Sequence, residues 1–267
     1  MRYERPMLNE LRKRSRKAVD YVVDLEYNRR FPSWPGAYRG VFRSFDEARA
    51  SAPPKGRLGY DHAEFGSIYD SRINKAFASD YPVLFWFERL KSQVGSIFDW
   101  GGHIGVSYYT YARYLELPAS FRWCVGDVPA VVEAGRKMAA ERGATGLTFT
   151  SEITGGDGFD VFFANGSLQY VDVPLADSIR AFSRLPPHLF VNKLPAYAGE
   201  SFVTLENTVH AYNPYRVFNR QAFIDSITPL GYELVDTWEN PDVTFKLPLH
   251  RDRCLNAYSG FYFRATR

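Results

Sequence analysis

The residues with the clearest chemical potential form a short run, Asp99-Trp100-Gly101-Gly102-His103-Ile104-Gly105, which follows Ser96-Ile97-Phe98 and leads into a helical pattern. A glycine-rich turn between strand and helix lets the backbone approach a ligand, with the helix N-terminus facing it. Asp99 stands before the glycines, where a carboxylate repels a pyrophosphate but accepts a hydrogen bond from an ammonium group. Asp127 ends the next apolar run, 22 residues beyond Gly105. An open α/β sheet places there the acid that takes the ribose hydroxyls of a nucleotide. An acid for an amino group, an acid for a ribose and no phosphate cradle fit S-adenosylmethionine (SAM) better than NAD. Each acid also has a plainer reading, Asp99 as a charge near a helix N-terminus and Asp127 as a cap of the helix that starts at Pro129.

A second group lies in the run from Leu205 to Tyr215, LENTVHAYNPY. Transfer to a hydroxyl needs a base of near-neutral pKa, whereas a thiol or amine needs less help. Glu206 and His210 are four apart, so in a helix they share a face and could act as orienter and base. The competing reading is an exposed ion pair over the rim of the site. Asn207, Tyr212 and Tyr215 would line the same wall. The remaining histidines are His62, His103, His188 and His250. His188 precedes an apolar run and is expected at the opposite end of the sheet.

The elements that must position these groups are legible from about residue 94 onward. Short runs at 96–98, 122–125, 147–149, 161–164 and 189–191 alternate with helical stretches at 106–117, 129–142 and 175–185. Pro129 opens one of these helices and Gly143 closes it, as helix punctuation predicts. Strands of about four apolar residues separated by helices point to parallel βαβ units. A helix near 219–227 and strands at 233–238 and 259–265 suggest an antiparallel pair at the sheet edge. The fold class is therefore α/β, a Rossmann-like, doubly wound, mostly parallel sheet with an antiparallel C-terminal edge strand. Residues 1–93 read as an N-terminal helical extension, with helices near 6–29, 44–50 and 67–91, that lids residues 94–267. Ser44 ahead of Glu47 makes a capping box for the second helix. Trp34, Tyr38, Tyr60, Asp61 and His62 are the lid residues expected over the site.

Composition narrows the function. The chain has 267 residues, 33 basic and 30 acidic, for a net charge of +3. That is enough for one large domain plus an arm, and too nearly neutral for the usual nucleic-acid footprint. No run of 18 apolar residues is present, so no membrane span is expected. The N-terminus lacks the apolar core of a secretory signal, which leads us to expect a cytoplasmic protein. Its Arg12, Lys13, Arg14, Arg16 and Lys17 read as a solvated basic helix face. Cys124 and Cys254 have no metal-ligand spacing, so neither a metal site nor a disulfide framework is expected. Aromatics reach 16%, which fits core filling first and a stacking pocket second.

Asp99-x-Gly101-Gly102-x-x-Gly105 resembles motif I of class I SAM-dependent methyltransferases, whose usual form is D/E-x-G-x-G-x-G. Asp127-Val128-Pro129-x-Val131-Val132 resembles the D-L-P-x-V-I stretch of several small-molecule O-methyltransferases, and Phe159 to Asn165 (FDVFFAN) resembles motif IV. Tyr212 to Phe218 (YNPYRVF), Gly231-Tyr232-Glu233-Leu234 and Asp236-x-Trp238 are similar to a family of uncharacterised methyltransferases associated with surface-polysaccharide gene clusters. The resemblance covers about residues 94–266, and the texture at 40–48 extends it. It implies SAM as cofactor, S-adenosylhomocysteine (SAH) as product, and a small acceptor such as a sugar or sugar nucleotide, methylated at oxygen or nitrogen. Gly101, Gly102 and Gly105 would pass under the methionine part, Asp127 would bind the ribose, and Val128 would pack on the adenine. Ser151 and Glu152 would hold the adenine amino group. Asn165 and Ser167 would sit where substrate meets the sulfonium. Tyr108 and Tyr109 would close the cofactor pocket or join the core.

Two departures qualify the resemblance. His103 replaces the middle glycine, where it could reach the cofactor carboxylate or the substrate, or cap the helix. Plant-type relatives carry a catalytic histidine after the fourth strand, whereas Ser167 to Asp172 (SLQYVD) offers Gln169 and no histidine. A methyltransferase fold that binds SAM without turnover therefore remains a competing reading. An NAD-dependent oxidoreductase or epimerase is disfavoured by Asp99 and by the lack of a Tyr-x-x-x-Lys pair. A nucleic-acid methyltransferase would need an Asn/Asp-Pro-Pro-Tyr-type motif after the fourth strand, and Asn165-Gly166-Ser167-Leu168 is not one.

Overall fold

Apolar runs buried on both faces can be satisfied only by a sheet with layers on each side. The computed structural model builds that sheet. It describes residues 19–266 except 20, 24, 55, 63, 66–71 and 209. In chain order the strands are β1 (Ala37–Phe42), β2 (Ser96–Trp100), β3 (Arg122–Gly126), β4 (Leu147–Thr150), β5 (Val161–Asn165) and β6 (His188–Leu194). They continue with β7 (Ala196–Tyr197), β8 (Phe202–Asn207), β9 (Tyr212–Asn219), β10 (Tyr232–Asn240) and β11 (Tyr258–Ala265). The helices are α1 (Phe45–Ala50), α2 (Tyr81–Leu90), α3 (Val106–Tyr111), α4 (Pro129–Glu141), α5 (Leu175–Arg180) and α6 (Arg220–Ile227).

The main sheet has the order β10-β11-β6-β5-β2-β3-β4. Its strands run parallel except β11, which pairs antiparallel with both β6 and β10. The antiparallel pair sits at the edge as expected, with the reversed strand one position in. Period-two alternation sorts the side chains. Val161, Phe163, Phe190 and Tyr262 enter the layer on one face, with Phe87 and Trp123. Phe162, Leu189, Val191, Phe261 and Phe263 enter the other, with Phe98 and Phe223. The chain winds outward from β2 through β3 and β4, then returns to β5 on the other side of β2. That reversal opens a crevice beyond the carboxyl ends of β2 and β5, where open α/β sheets bind ligands.

A second, four-stranded sheet, β1-β8-β9-β7, departs from the expectation. The segment read as a purely helical extension contains β1, which pairs antiparallel with β8 from Ala37↔Asn207 to Phe42↔Val203. The insertion read as helical around Glu206 and His210 is instead a β8–β9 hairpin. The physical reason is visible in its residues. Phe202, Val203, Thr204, Tyr212, Tyr215 and Val217 favour extended backbone, and β8 is buried throughout, as is the first half of β9. Thr208 closes the turn, its Oγ1 accepting from Ala211 N at 3.1 Å.

Smaller differences concern helix ends. The helix expected from residue 67 begins at Tyr81, because Pro82 fits only a first turn; residues 66–71 lie outside the described residues. α3 stops at Tyr111 rather than near 117. Ser44 caps α1 by accepting from Glu47 N at 3.2 Å, while the Glu47 carboxylate reaches Arg43 N rather than Ser44 N. The residues 25–30 are helical, whereas the basic cluster Arg12, Lys13, Arg14, Arg16 and Lys17 lies outside the described residues. No helix among the described residues is long and apolar enough to cross a membrane.

Candidate functional site

The turn after β2 is built for close approach. Gly101, His103 and Gly105 all have left-handed backbone, with φ of 75°, 57° and 92°. A Cβ on Gly101 would lie 2.2 Å from the Ser167 Cβ, and one on Gly102 would lie 2.5 Å from the Asp99 carboxyl carbon. Glycine at 101 lets the turns after β2 and β5 touch, and glycine at 102 makes room for the Asp99 carboxyl. Ser167 Oγ then donates to Trp100 O at 2.5 Å. His103 takes the left-handed conformation although it carries a Cβ, a strained choice for most side chains. Its buried ring is pushed down to about 4 by desolvation, against a hydrogen bond to the Phe65 backbone, so it is neutral at pH 7.

Asp99 is fully buried behind Gly102 rather than on the cavity wall. Its Oδ2 accepts from Trp123 Nε1 at 3.3 Å, and its Oδ1 has no hydrogen-bond partner. Burial raises its carboxyl to about 7, the Trp123 bond opposes the rise, and the Asp127 charge adds to it. Asp127, just past β3, does face the cavity. Its Oδ2 accepts from His103 N at 2.9 Å and its Oδ1 from Val128 N at 2.8 Å. Those two bonds fix the carboxylate and pull its pKa down, but burial outweighs them and leaves it at about 6.

These groups line one end of a cavity of about 1020 Å³ at the carboxyl edge of the main sheet. That is at the upper end of the ~300–1,000 Å³ typical for a single ligand. Gly101, Gly102, His103, Asp127 and Val128 border it, as do Ser151, Asn165 and Ser167. Gly105 lies beneath, against Leu147, and Glu152 is exposed beside its neighbour Ser151 without reaching the wall. Tyr108 and Tyr109 belong to the core around Trp123. Of the expected lid residues, Tyr38, Tyr60 and Asp61 reach the cavity, and Trp34 and His62 do not. Asp61 accepts from Ala130 N at 2.8 Å, which ties the N-terminal segment to the first turn of α4.

The small sheet forms the opposite end. Glu206 on β8 is 8% exposed and borders the cavity with Tyr38, Tyr170, Tyr215 and Tyr258. Tyr38 Oη donates to Glu206 Oε1 at 3.2 Å, and Oε2 has no hydrogen-bond partner. Desolvation lifts this carboxyl to about 7, with Tyr170 and Tyr38 pulling the other way. His210 is not brought to it. It sits in the hairpin turn, outside the cavity wall, with its ring edge-on to Phe65 at 5.6 Å. A strand followed by a turn separates residues that a helix would have stacked. His188 opens β6 at the far edge, as expected, with Nδ1 2.8 Å from Tyr262 Oη.

Sequence reasoning missed a polar network between the two ends. Lys193 on β6 pairs with Asp80 at 2.9 Å, and Tyr111 Oη donates to the same Asp80 oxygen at 3.2 Å. Asn192 donates to Ser79 O at 2.8 Å and to Asn165 Oδ1 at 3.2 Å, and accepts from Trp238 Nε1 at 3.0 Å. Its members come from distant segments, and only Lys193, with φ of 54°, stands out locally. Among the described residues no cluster of His, Cys, Asp and Glu could hold a metal ion.

No protein-family model and no curated protein sequence matches this chain. Solved structures do. The 1,6-didemethyltoxoflavin-N1-methyltransferase of Burkholderia thailandensis, crystallised with 1,6-didemethyltoxoflavin and SAH, is 18% identical over 81% of this chain and 95% of its own, with a TM-score of 0.50. A Listeria monocytogenes protein described as a SAM-dependent methyltransferase is 10% identical over 71% of this chain and 99% of its own, also at 0.50. The [4+2]-cyclase SpnF is 14% identical over 79% of this chain and 98% of its own, again at 0.50. The chain therefore has the Rossmann-like α/β fold that these methyltransferases share with the cyclase.

Proposed function

We propose that the protein binds SAM at the glycine end of the cavity and transfers its methyl group to a small acceptor bearing a hydroxyl or amine, with sugars and sugar nucleotides among the candidates. The observation that carries this reading is Asp127, a half-buried carboxylate held by two backbone amides at the end of β3, facing the cavity beside a glycine turn. A ribose diol fits such a fixed acceptor pair. Gly101, Gly102 and Gly105 keep the turn low under the methionine part. Asp99, behind Gly102, lends the floor negative charge when ionised, which favours an ammonium over a pyrophosphate. Val128 packs against the adenine, Ser151 lies near its amino group with Glu152 outside the wall, and Asn165 and Ser167 border the reacting side. The neutral His103 ring adds no positive charge beside a cationic ligand. When bound, the sulfonium supplies an electrophilic methyl group. The chain contributes alignment, which is much of what such a displacement needs.

Calorimetric titration with SAM, SAH and NAD tests the reading. It predicts micromolar binding of SAM and SAH and none of NAD. A folded protein that binds neither SAM nor SAH would sink it. The SpnF likeness favours one alternative, a SAM-binding fold used without methyl transfer. Tight SAH binding with no methyl transfer to any acceptor would select it.

A further inference from the structure

The tyrosine end of the cavity contains an unused group. Glu206 is buried on β8 and borders the cavity, and no hydrogen bond reaches its Oε2. Native structures rarely leave a buried carboxylate oxygen unsatisfied, because its desolvation is uncompensated. Every group that faces Glu206 from a packed element is neutral. Tyr38 on β1 holds Oε1, and Tyr170, just after β5, steadies the anion. Tyr215 on β9 and Tyr258 on β11 are bonded to each other at 2.6 Å. Asn213, opposite Glu206 in the β8–β9 register, turns its amide to Thr208 Oγ1 at 3.4 Å. Among the described residues no cation pairs with Glu206. The Asp242 carboxylate also borders the cavity, but it is exposed to solvent. His210 lies outside the cavity, and the Gln169 amide donates to Gly166 O at 2.7 Å.

We propose that Glu206 is the proton acceptor for methyl transfer, and that the acceptor presents a neutral hydroxyl, of an alcohol or phenol, to Glu206 Oε2. This rests on the SAM-dependent reading above. The acceptor oxygen forms its bond to the methyl carbon as the carbon–sulfur bond breaks with its electron pair going to sulfur. The hydroxyl proton passes to Oε2 and leaves to solvent when Glu206 ionises again. A carboxyl held near neutrality by burial is matched to this task at pH 7. An alkyl amine acceptor would arrive as an ammonium ion, which Glu206 would hold in its unreactive protonated form. Tyr38 is a positioning residue that fixes Oε1.

The test uses the full chain, tritiated SAM and matched pairs of probes: benzyl alcohol and benzylamine, cyclohexanol and cyclohexylamine, glucose and glucosamine. The inference predicts transfer to at least one hydroxyl compound, at least about tenfold over its amine partner, at a rate rising with pH through about 7. Glu206→Gln should lower kcat by about 100-fold or more while leaving SAH affinity within about twofold. His210→Ala should retain the rate. Infrared spectra of the SAH complex supply a readout independent of turnover. The carboxyl band that Glu206→Gln removes should titrate near 7, and Tyr38→Phe should move its midpoint upward by removing a bond to the anion. Transfer to amines in preference, full activity of Glu206→Gln, a midpoint below about 5, or no transfer to any hydroxyl compound by a protein that binds SAH would each overturn the inference. Absence of SAH binding would instead strike the SAM reading and this inference with it.

Discussion

The two ends of the cavity solve the same problem in different ways. At the glycine end, local backbone does the work: three alternate left-handed positions shape the turn, and two amides fix Asp127. At the tyrosine end, strands from segments more than 160 residues apart bring Tyr38 to Glu206. Each end also buries a carboxyl held at about 7, Asp99 behind the turn and Glu206 on the wall. A local device leaves a readable motif, whereas one assembled across the chain does not. The first kind suits a ligand common to many proteins of this fold, and the second suits a ligand particular to one.

That contrast predicts different outcomes for changes at the two ends. The largest effect is expected from Asp127→Ala, which should weaken SAH binding by about 100-fold, or ~2.7 kcal/mol, with the tyrosine end undisturbed. Calorimetry checks it, and unchanged affinity would break the assignment of the glycine end. Next is Gly101→Ala, which meets both a left-handed φ and the Ser167 side chain. It should cost about 2 kcal/mol of stability in denaturant unfolding. Tyr258→Phe is expected to cost about 1 kcal/mol by removing the Tyr215 hydroxyl bond, without changing SAH affinity. An equal loss of SAH affinity would mean that the ends are not separable.

Stability against pH sharpens the comparison further. The folded carboxyls of Asp99 and Glu206 titrate near 7, above their ordinary values of 3.8 and 4.5, so the folded chain keeps protons that the unfolded chain has released. The stabilisation is complete at low pH and is lost as pH rises through about 7. His103, held down at about 4, runs the opposite way below its ordinary 6.5, so the wild-type profile mixes both. Differences between variants isolate the carboxyls. Asp99→Asn and Glu206→Gln should each gain thermal stability relative to wild type between pH 5.5 and 8.5. A gap that narrows with rising pH would contradict the burial argument.

The main sheet was legible because its strands are buried on both faces and separated by helical stretches, one of them punctuated by Pro129 and Gly143. Asp127 and the glycine turn were legible for the same reason, since both sit at strand ends that the pattern locates. The small sheet was not. Glu206 and His210 have helical spacing, and only the β-branched and aromatic residues around them argue for extended backbone. β1 gains its partner, β8, from the far side of the fold, so residues 37–42 alone carry no pairing signal. The Asp80–Lys193 pair, 113 residues apart, was hidden in the same way.

The account's central claim is most directly tested by a crystal structure of the protein with SAH. The account predicts the ribose hydroxyls on the Asp127 carboxylate and the methionine part over Gly101 and Gly102, with Glu206 and its tyrosines left open to a second ligand. SAH bound across the tyrosine end, or density for SAH away from Asp127, would contradict it.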